Sequence, residues 1–132
     1  MRTLILTKEQ LDRMIAHAKT HAPLEACGLL AGQNARVEEV IEIPNQARSE
    51  VRFVMDPVEQ LKAFERIENE GLELLGIFHS HPNGPETVSP ADIAEAAYPV
   101  THVIIARTGE TWKARGFWIE GDAFQETPLQ IL

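Results

Sequence analysis

The sequence contains a single cysteine, Cys27, among 132 residues. One cysteine cannot form a disulfide within the chain, so the composition matches a reducing compartment. We therefore expect a cytoplasmic protein.

Long apolar runs and an excess of basic residues are also missing. No run approaches the ~18 apolar residues of a membrane-spanning helix, and the apolar stretch in residues 1–10 is too short for a signal sequence, so it predicts an opening strand instead. The 12 Lys and Arg against 20 Asp and Glu give a net charge of −8. Because nucleic-acid binding needs a basic surface, this balance disfavours a general nucleic-acid binder, although a local basic patch is compatible with it.

What is present suits one compact domain. Hydrophobic residues make up 44% of the chain and charged residues 24%, which is enough for a packed core at this length. There is no internal repeat, low-complexity tract or linker. The sequence predicts a single domain over residues 1–132.

Three capping patterns predict three helices. Thr7 with Gln10 predicts a helix from 8 to about 20, Asp56 before Pro57 predicts one from 57 to about 70, and Ser89 with Asp92 predicts a short one to about 97. In the second helix the spacing predicts three inward side chains and a C-cap glycine: Leu61, Phe64, Ile67 and Gly71.

Short apolar or alternating runs between the helices predict strands. They cover residues 26–31, 36–43, 51–55, 72–79, 101–106, 111–119 and 124–132. The last two should form a closing antiparallel pair, whose outer edge offers a surface for a homodimer. The predicted fold class is α/β, with a mixed sheet flanked by helices.

The segment His79-Ser80-His81 carries the chemistry. In an extended strand, side chains two residues apart point the same way, so the two imidazoles would lie side by side. Asp92 follows after a short loop. Two histidines and one aspartate form a three-ligand set, as in a catalytic zinc site that keeps its fourth position for water.

Zinc hydrolysis also needs a carboxylate that moves protons and a donor facing the developing oxyanion. Ser89, three residues before Asp92, could be that donor. Ser89 and Asp92 also have structural interpretations. Serine is a common N-cap, and an acid in the first turn of a helix balances the helix dipole.

These residues match the JAMM pattern of His-(Ser/Thr)-His, seven residues, Ser, two residues and Asp. Upstream, Glu25 in Pro23-Leu24-Glu25-Ala26-Cys27-Gly28 is similar to the glutamate of that family in position and context. The chain resembles a JAMM/MPN+ zinc metallopeptidase of the minimal prokaryotic type, over nearly its whole length.

The resemblance implies a JAMM/MPN fold, which is cytidine-deaminase-like, with one Zn²⁺ per chain. It implies zinc binding by His79, His81 and Asp92, oxyanion stabilisation by Ser89, and proton transfer by Glu25, first as base and then as acid. The implied partner is a ubiquitin-like β-grasp protein, including sulfur carriers with a Gly-Gly tail, cleaved at the amide bond after its C-terminal tail. Long insertions like those with which eukaryotic deubiquitinases grip ubiquitin are missing at residues 44–52 and after Asp92.

Other interpretations remain open from the sequence. The chain could be a catalytically silent MPN-type scaffold or a zinc hydrolase of small amide substrates. A zinc nucleobase deaminase is set aside because its Pro-Cys-x-x-Cys motif needs two cysteines. Cys27 is interpreted as a buried apolar residue rather than a catalytic thiol, and His17, His21 and His102 as solvent-facing or structural residues.

Overall fold

The computed structural model describes residues 3–132; the first two residues of the predicted opening strand lie outside the described part. Within that range the chain forms eight strands and three helices. In chain order these are β1 (Leu4–Leu6), α1 (Lys8–His21), β2 (Cys27–Gln33), β3 (Arg36–Ile43), α2 (Pro57–Asn69), β4 (Glu73–His81), α3 (Pro90–Glu95), β5 (Thr101–Thr108), β6 (Thr111–Glu120), β7 (Ala123–Thr127) and β8 (Leu129–Ile131).

All eight strands belong to one mixed sheet, in the order β7-β6-β5-β4-β2-β3-β1-β8. β4 lies near the middle, antiparallel to β2 and parallel to β5. β7 and β8 occupy opposite edges, although only Pro128 separates them along the chain. The sheet therefore curls until its two edges approach each other. The result is the single-domain mixed α/β fold that the sequence predicts.

The helices cover both faces of the sheet. Met14 and Ala18 of α1 pack on one face, in a cluster that includes Phe78 of β4. Ala63 and Ile67 of α2 pack on the opposite face with β2, β3 and β4. α3 packs further along that second face against β5 and β6. The second face thus carries two helices that lie over different strands.

All three predicted helix starts are confirmed. Thr7 and Gln10 form a capping box at α1, as do Ser89 and Asp92 at α3, and the carboxylate of Asp56 accepts hydrogen bonds from two backbone amides at α2. A capping side chain satisfies amides that the first helical turn leaves without a partner, which explains why these local patterns fix the boundaries.

Two details of α2 were predicted wrongly. Leu61 is 60% exposed, because the buried stripe of the helix passes through Ala63 and Ile67 instead. The C-cap is Glu70, and Gly71 is the following residue, with φ of +68°. Glycine suits that position because a side chain disfavours positive φ.

The predicted strand at residues 51–55 is also wrong. Only an isolated bridge joins Met55 to Asn45. The side chain of Asn45 takes the place of a partner strand: its Oδ1 accepts from the amides of Ala47 and Val54, and its Nδ2 donates to the carbonyls of Arg52 and Glu25. Segment 44–56 is therefore a loop organised around one amide side chain.

The closing segment is divided rather than continuous. β6 and β7 form the predicted antiparallel pair. Residues 129–131 then leave that pair and join β1 in parallel at the other edge of the sheet. Pro128 lies at the break, where the missing amide hydrogen ends the ladder. Across residues 3–132, α1 to α3 are all too short or too polar to span a bilayer.

Candidate metal centre

The two histidines of the motif project from the same face of β4, where the strand ends. β4 continues to His81, two residues further than predicted, so both imidazoles belong to the central strand. Their Nε2 atoms are 3.1 Å apart, and both side chains are buried. The strand alternation predicted from the sequence is confirmed.

Asp92 reaches both imidazoles from the first turn of α3. Its Oδ1 lies 3.0 Å from Nε2 of His79, and its Oδ2 lies 3.1 Å from Nε2 of His81. Burial alone would raise the pKa of Asp92, but hydrogen bonds from the two histidines lower it far below its usual range. The carboxylate is thus ionised and faces two ring nitrogens.

Glu25 enters the same cluster from the residues just before β2. Ligand atoms of Glu25, His79 and His81 all lie within 4.8 Å of one another, so these three buried side chains could hold a metal ion. Burial raises the pKa of Glu25 to about 8, although His81 opposes the shift. Its Oε1 is buried and has no hydrogen-bond partner among the described residues.

The backbone around Glu25 is fixed on both sides. The carbonyl of Glu25 accepts from Nδ2 of Asn45, and its amide donates to the carbonyl of Ser49. The next amide, of Ala26, donates to Oγ of Ser80, which lies between the two histidines, at 2.7 Å. The serine of the motif thus ties the glutamate segment to the histidine strand.

Ser89 is the N-cap of α3, and its role as an oxyanion donor stays a prediction. Its Oγ accepts from the amide of Asp92 at 3.2 Å, and its own amide donates to Oδ2 of Asp92 at 2.9 Å. Capping uses a lone pair of the hydroxyl and leaves its proton able to bind another acceptor. Ser89 is half-buried, so that proton can meet a substrate.

The ring of His81 is oriented by the loop that follows it. Its Nδ1 lies 2.8 Å from the carbonyl oxygen of Pro85, which only an N–H can satisfy. Two arginines on the next strands hold this loop: Nε of Arg107 donates to the carbonyl of Pro82, and Nη1 of Arg115 donates to that of Glu86. A proton kept on Nδ1 would leave the Nε2 lone pair of His81 for a metal ion, in place of its hydrogen bond to Asp92.

A cavity of about 410 Å³ lies beside the histidines. The ring of Phe53 stacks on His79 at a centroid distance of 4.5 Å, and the same ring lines the cavity. His102 and Tyr98 also line this cavity. The cavity therefore opens next to one of the two motif histidines.

The structure brings together all five residues singled out from the sequence: Glu25, His79, His81, Ser89 and Asp92. Their individual roles remain predictions. Cys27 is fully buried, and burial raises the pKa of its thiol to about 12, which agrees with an apolar structural residue.

Sequence reasoning missed the residues that support the cluster: Asn45, Phe53, Ser80 and His102. Nothing in the sequence pattern singles out Asn45, and Phe53 lies in the segment 51–55 that was predicted as a strand. Ser80 carried a signal, because it lies inside the His-Ser-His motif. His102 had none, since its proximity to the cluster follows from strand order.

The chain is similar to known proteins over most of its length. The family model for prokaryotic homologues of the JAB domain matches residues 7–119. A probable TtuB-protein conjugate cleaving protease of Thermus thermophilus is 43% identical, over 98% of this chain and 83% of that protein. A desampylase of Pyrococcus furiosus is 41% identical, over 98% and 90%. A CysO-cysteine peptidase of Mycobacterium tuberculosis is 30% identical, over 98% and 91%.

Solved structures show the same fold. A solution structure of a protein from Desulfitobacterium hafniense superposes with a TM-score of 0.87 at 36% identity, covering 98% of this chain and 92% of that one. A JAB1/MPN domain protein from Archaeoglobus fulgidus superposes with a TM-score of 0.67 at 21% identity, with complete coverage of both chains.

Proposed function

The chain belongs to the family of prokaryotic homologues of the JAB domain, and from that membership we propose that it is a zinc-dependent isopeptidase acting on ubiquitin-like conjugates. The single observation that carries the proposal is the convergence of two Nε2 atoms, the Asp92 carboxylate and the Glu25 carboxylate in one buried cluster. The named relatives are peptidases, which places this chain among enzymes.

The donor set fits zinc. Imidazole nitrogen and carboxylate oxygen are common ligands of Zn²⁺, and ligand distances of ~2.0–2.2 Å in a tetrahedron put ligand atoms roughly 3.3–3.6 Å apart. Here the Nε2 atoms of His79 and His81 are 3.1 Å apart. Oδ1 of Asp92 lies 3.0 Å from Nε2 of His79, and Oδ2 lies 3.1 Å from Nε2 of His81. The unpartnered Oε1 of Glu25 agrees with a group that meets something besides protein. We assign His79, His81 and Asp92 as the ligands.

When bound, zinc supplies a Lewis acid that polarises the scissile carbonyl and lowers the pKa of water to ~7. Glu25 takes a proton from the water whose oxygen attacks the carbonyl carbon. The hydroxyl of Ser89 donates to the carbonyl oxygen as negative charge develops there. Glu25 then passes the proton to the leaving nitrogen, the C–N bond breaks, and a carboxylic acid and an amine are released.

The substrate assignment follows the relatives' names, which describe cleavage of a TtuB-protein conjugate and of CysO-cysteine. A ubiquitin-like partner is supported by these relatives. We propose a β-grasp protein with a Gly-Gly tail, cleaved after the last glycine. The cavity beside Phe53 would hold a group next to the scissile bond. The assignment of residues 1–132 to one JAMM/MPN+ domain in the cytoplasm belongs to the same proposal.

The test uses a β-grasp protein whose Gly-Gly tail is joined to a lysine side chain, and in parallel the same protein joined to cysteine. Mass spectrometry of the products should locate the cut after the second glycine. Zinc content should be about one ion per chain, and chelation should abolish cleavage until zinc is restored.

The matched control is Glu25→Gln, which keeps the shape of the side chain but cannot take up a proton. It should bind zinc and lose most turnover. Cleavage of small amides with no cleavage of either conjugate would favour the small-substrate alternative. Zinc binding with no hydrolysis of any amide would favour a silent scaffold.

A further inference from the structure

The two motif histidines differ in the partner of their second ring nitrogen. His81 uses Nδ1 to donate to the Pro85 carbonyl. The Nδ1 of His79 is buried and has no hydrogen-bond partner among the described residues. A histidine that binds a metal through Nε2 carries its proton on Nδ1 and almost always donates it to a neighbouring group. An acceptor for His79 is therefore needed.

His102 offers the complementary atom. Its Nε2 is likewise buried and unpartnered within residues 3–132, and the residue is only 4% exposed. The backbone of Tyr98 forms a hydrogen bond with the ring. Because Nε2 has no partner, the N–H that serves the Tyr98 carbonyl is Nδ1–H. In a neutral ring this leaves a lone pair on Nε2.

The sheet places these two rings on one face. His102 of β5 lies opposite Ile77 of β4, and His79 follows Ile77 by two residues. The Nε2 atom of His79 lies 3.1 Å from that of His81, and His102 lies diagonally across the β4–β5 ladder from His79, two residues before its direct partner Ile104. The two histidines also interact electrostatically. A buried donor and a buried acceptor, both without partners, thus lie on adjacent strands.

We propose that His102 is a positioning residue, which accepts a hydrogen bond from Nδ1–H of His79 and so directs the Nε2 lone pair of His79 towards the metal. The two atoms are not hydrogen-bonded to each other in this structure, and their direct contact forms when Nε2 of His79 binds the metal. The inference rests on the proposed metal site, but it concerns ligand orientation and not peptidase activity.

Nuclear magnetic resonance on the wild-type chain tests the proton positions without any mutation. Long-range ¹H–¹⁵N correlation spectra distinguish the two tautomers of each histidine. In the zinc-loaded protein, both His79 and His102 should carry the proton on Nδ1. A proton on Nε2 of His102 would make both facing atoms donors, so no hydrogen bond could form between them. That result would overturn the proposal, whether or not the chain cleaves any conjugate.

Zinc affinity gives the second readout. His102→Leu removes the acceptor and should weaken zinc binding by about 10–100-fold, whereas His102→Gln, which keeps an oxygen within reach, should stay within about threefold of wild type. Competition with a chromophoric chelator measures both values. Unfolding curves of the metal-free variants establish that each one is folded.

Thr127→Val is the matched control. Its Oγ1 is another buried atom without a partner in the described range, and it lies on β7, away from the cluster. This variant should bind zinc as the wild type does. Equal losses in His102→Leu and His102→Gln would assign the effect to packing and overturn the proposal, as would wild-type zinc affinity in His102→Leu.

Discussion

At the scale of single residues, Glu25 weakens the metal-free fold. Its pKa of about 8 in the folded chain exceeds the ordinary value of 4.5. Between these values the folded chain binds more protons than the unfolded chain, so the free energy of unfolding falls as pH rises. The buried carboxyl of Glu25 therefore costs stability near neutral pH.

Replacing Glu25 by glutamine should remove this cost. We expect metal-free Glu25→Gln to be more stable than wild type by about 2–4 kcal/mol at pH 7.5, with little difference below pH 4.5. Chemical unfolding in the presence of a chelator measures both free energies across this range. Parallel pH profiles for the two proteins would contradict the assigned cause.

Substitution of Ser89 should lower the rate of the chemical step without weakening substrate binding. Ser89→Ala is expected to lower kcat by about 10²–10³, with KM and zinc content nearly unchanged, because it removes a donor that acts on developing charge. Loss of the cap should also cost about 1 kcal/mol of stability. Ser89→Thr keeps a hydroxyl and is the control. A change confined to KM would remove Ser89 from the chemical step.

The sequence was informative where ligands lie close together along the chain. The spacing of His79, His81, Ser89 and Asp92 defines the cluster, because a strand and a capped helix have fixed periodicities. Glu25 could be selected only through family resemblance, since its approach depends on the pairing of β2 with β4. His102 depends on the pairing of β4 with β5 in the same way.

At the scale of elements, the Asn45 side chain adds four hydrogen bonds to the backbone hydrogen bonds that hold the loop 44–56. Asn45 donates to the carbonyl of Glu25 and organises the segment that carries Phe53. Since Phe53 stacks on His79, this loop links the glutamate and histidine sides of the cluster.

The substitution Asn45→Ala should therefore destabilise the whole loop and not only position 45. We expect a loss of about 2–3 kcal/mol in stability, since four hydrogen bonds disappear. Amide hydrogen exchange should accelerate in residues 46–55 and change little in β5. Asn45→Asp keeps the acceptor half and should lose less. Unchanged exchange in the loop would show that other contacts hold it.

Elements with local caps could be predicted, and those fixed by distant contacts could not. Helices α1, α2 and α3 begin where Thr7, Asp56 and Ser89 predict. Residues 51–55 have the apolar alternation of a strand, but they pair with an amide side chain. Leu61 has helical spacing with Phe64, yet only tertiary packing decides which stripe of α2 is buried.

At the scale of the whole molecule, metal binding should stabilise the fold by mass action. Zinc at about 1,000 times its dissociation constant should add about 4 kcal/mol to the free energy of unfolding. That corresponds to a rise of roughly 10–20 °C in Tm for a domain of this size. Calorimetry with and without zinc measures the shift, and Asp92→Ala should abolish most of it. An equal shift in the variant would exclude Asp92 as a ligand.

The order of the strands lay beyond the sequence pattern. Alternation of apolar and polar residues indicates a strand, but it does not determine which other strand pairs with it. The parallel pairing of β4 with β5, and of β1 with β8, joins segments that are distant along the chain. Only Pro128, which ends one ladder before the next begins, gave a local sign of the crossing to the far edge.

The central place of β4 has a consequence for the proposed metal binding. His79 and His81 are anchored by ladders on both sides, to β2 and to β5. Both neighbouring strands thus hold the backbone that carries the two imidazoles, so metal binding by these two residues would require little ordering of β4.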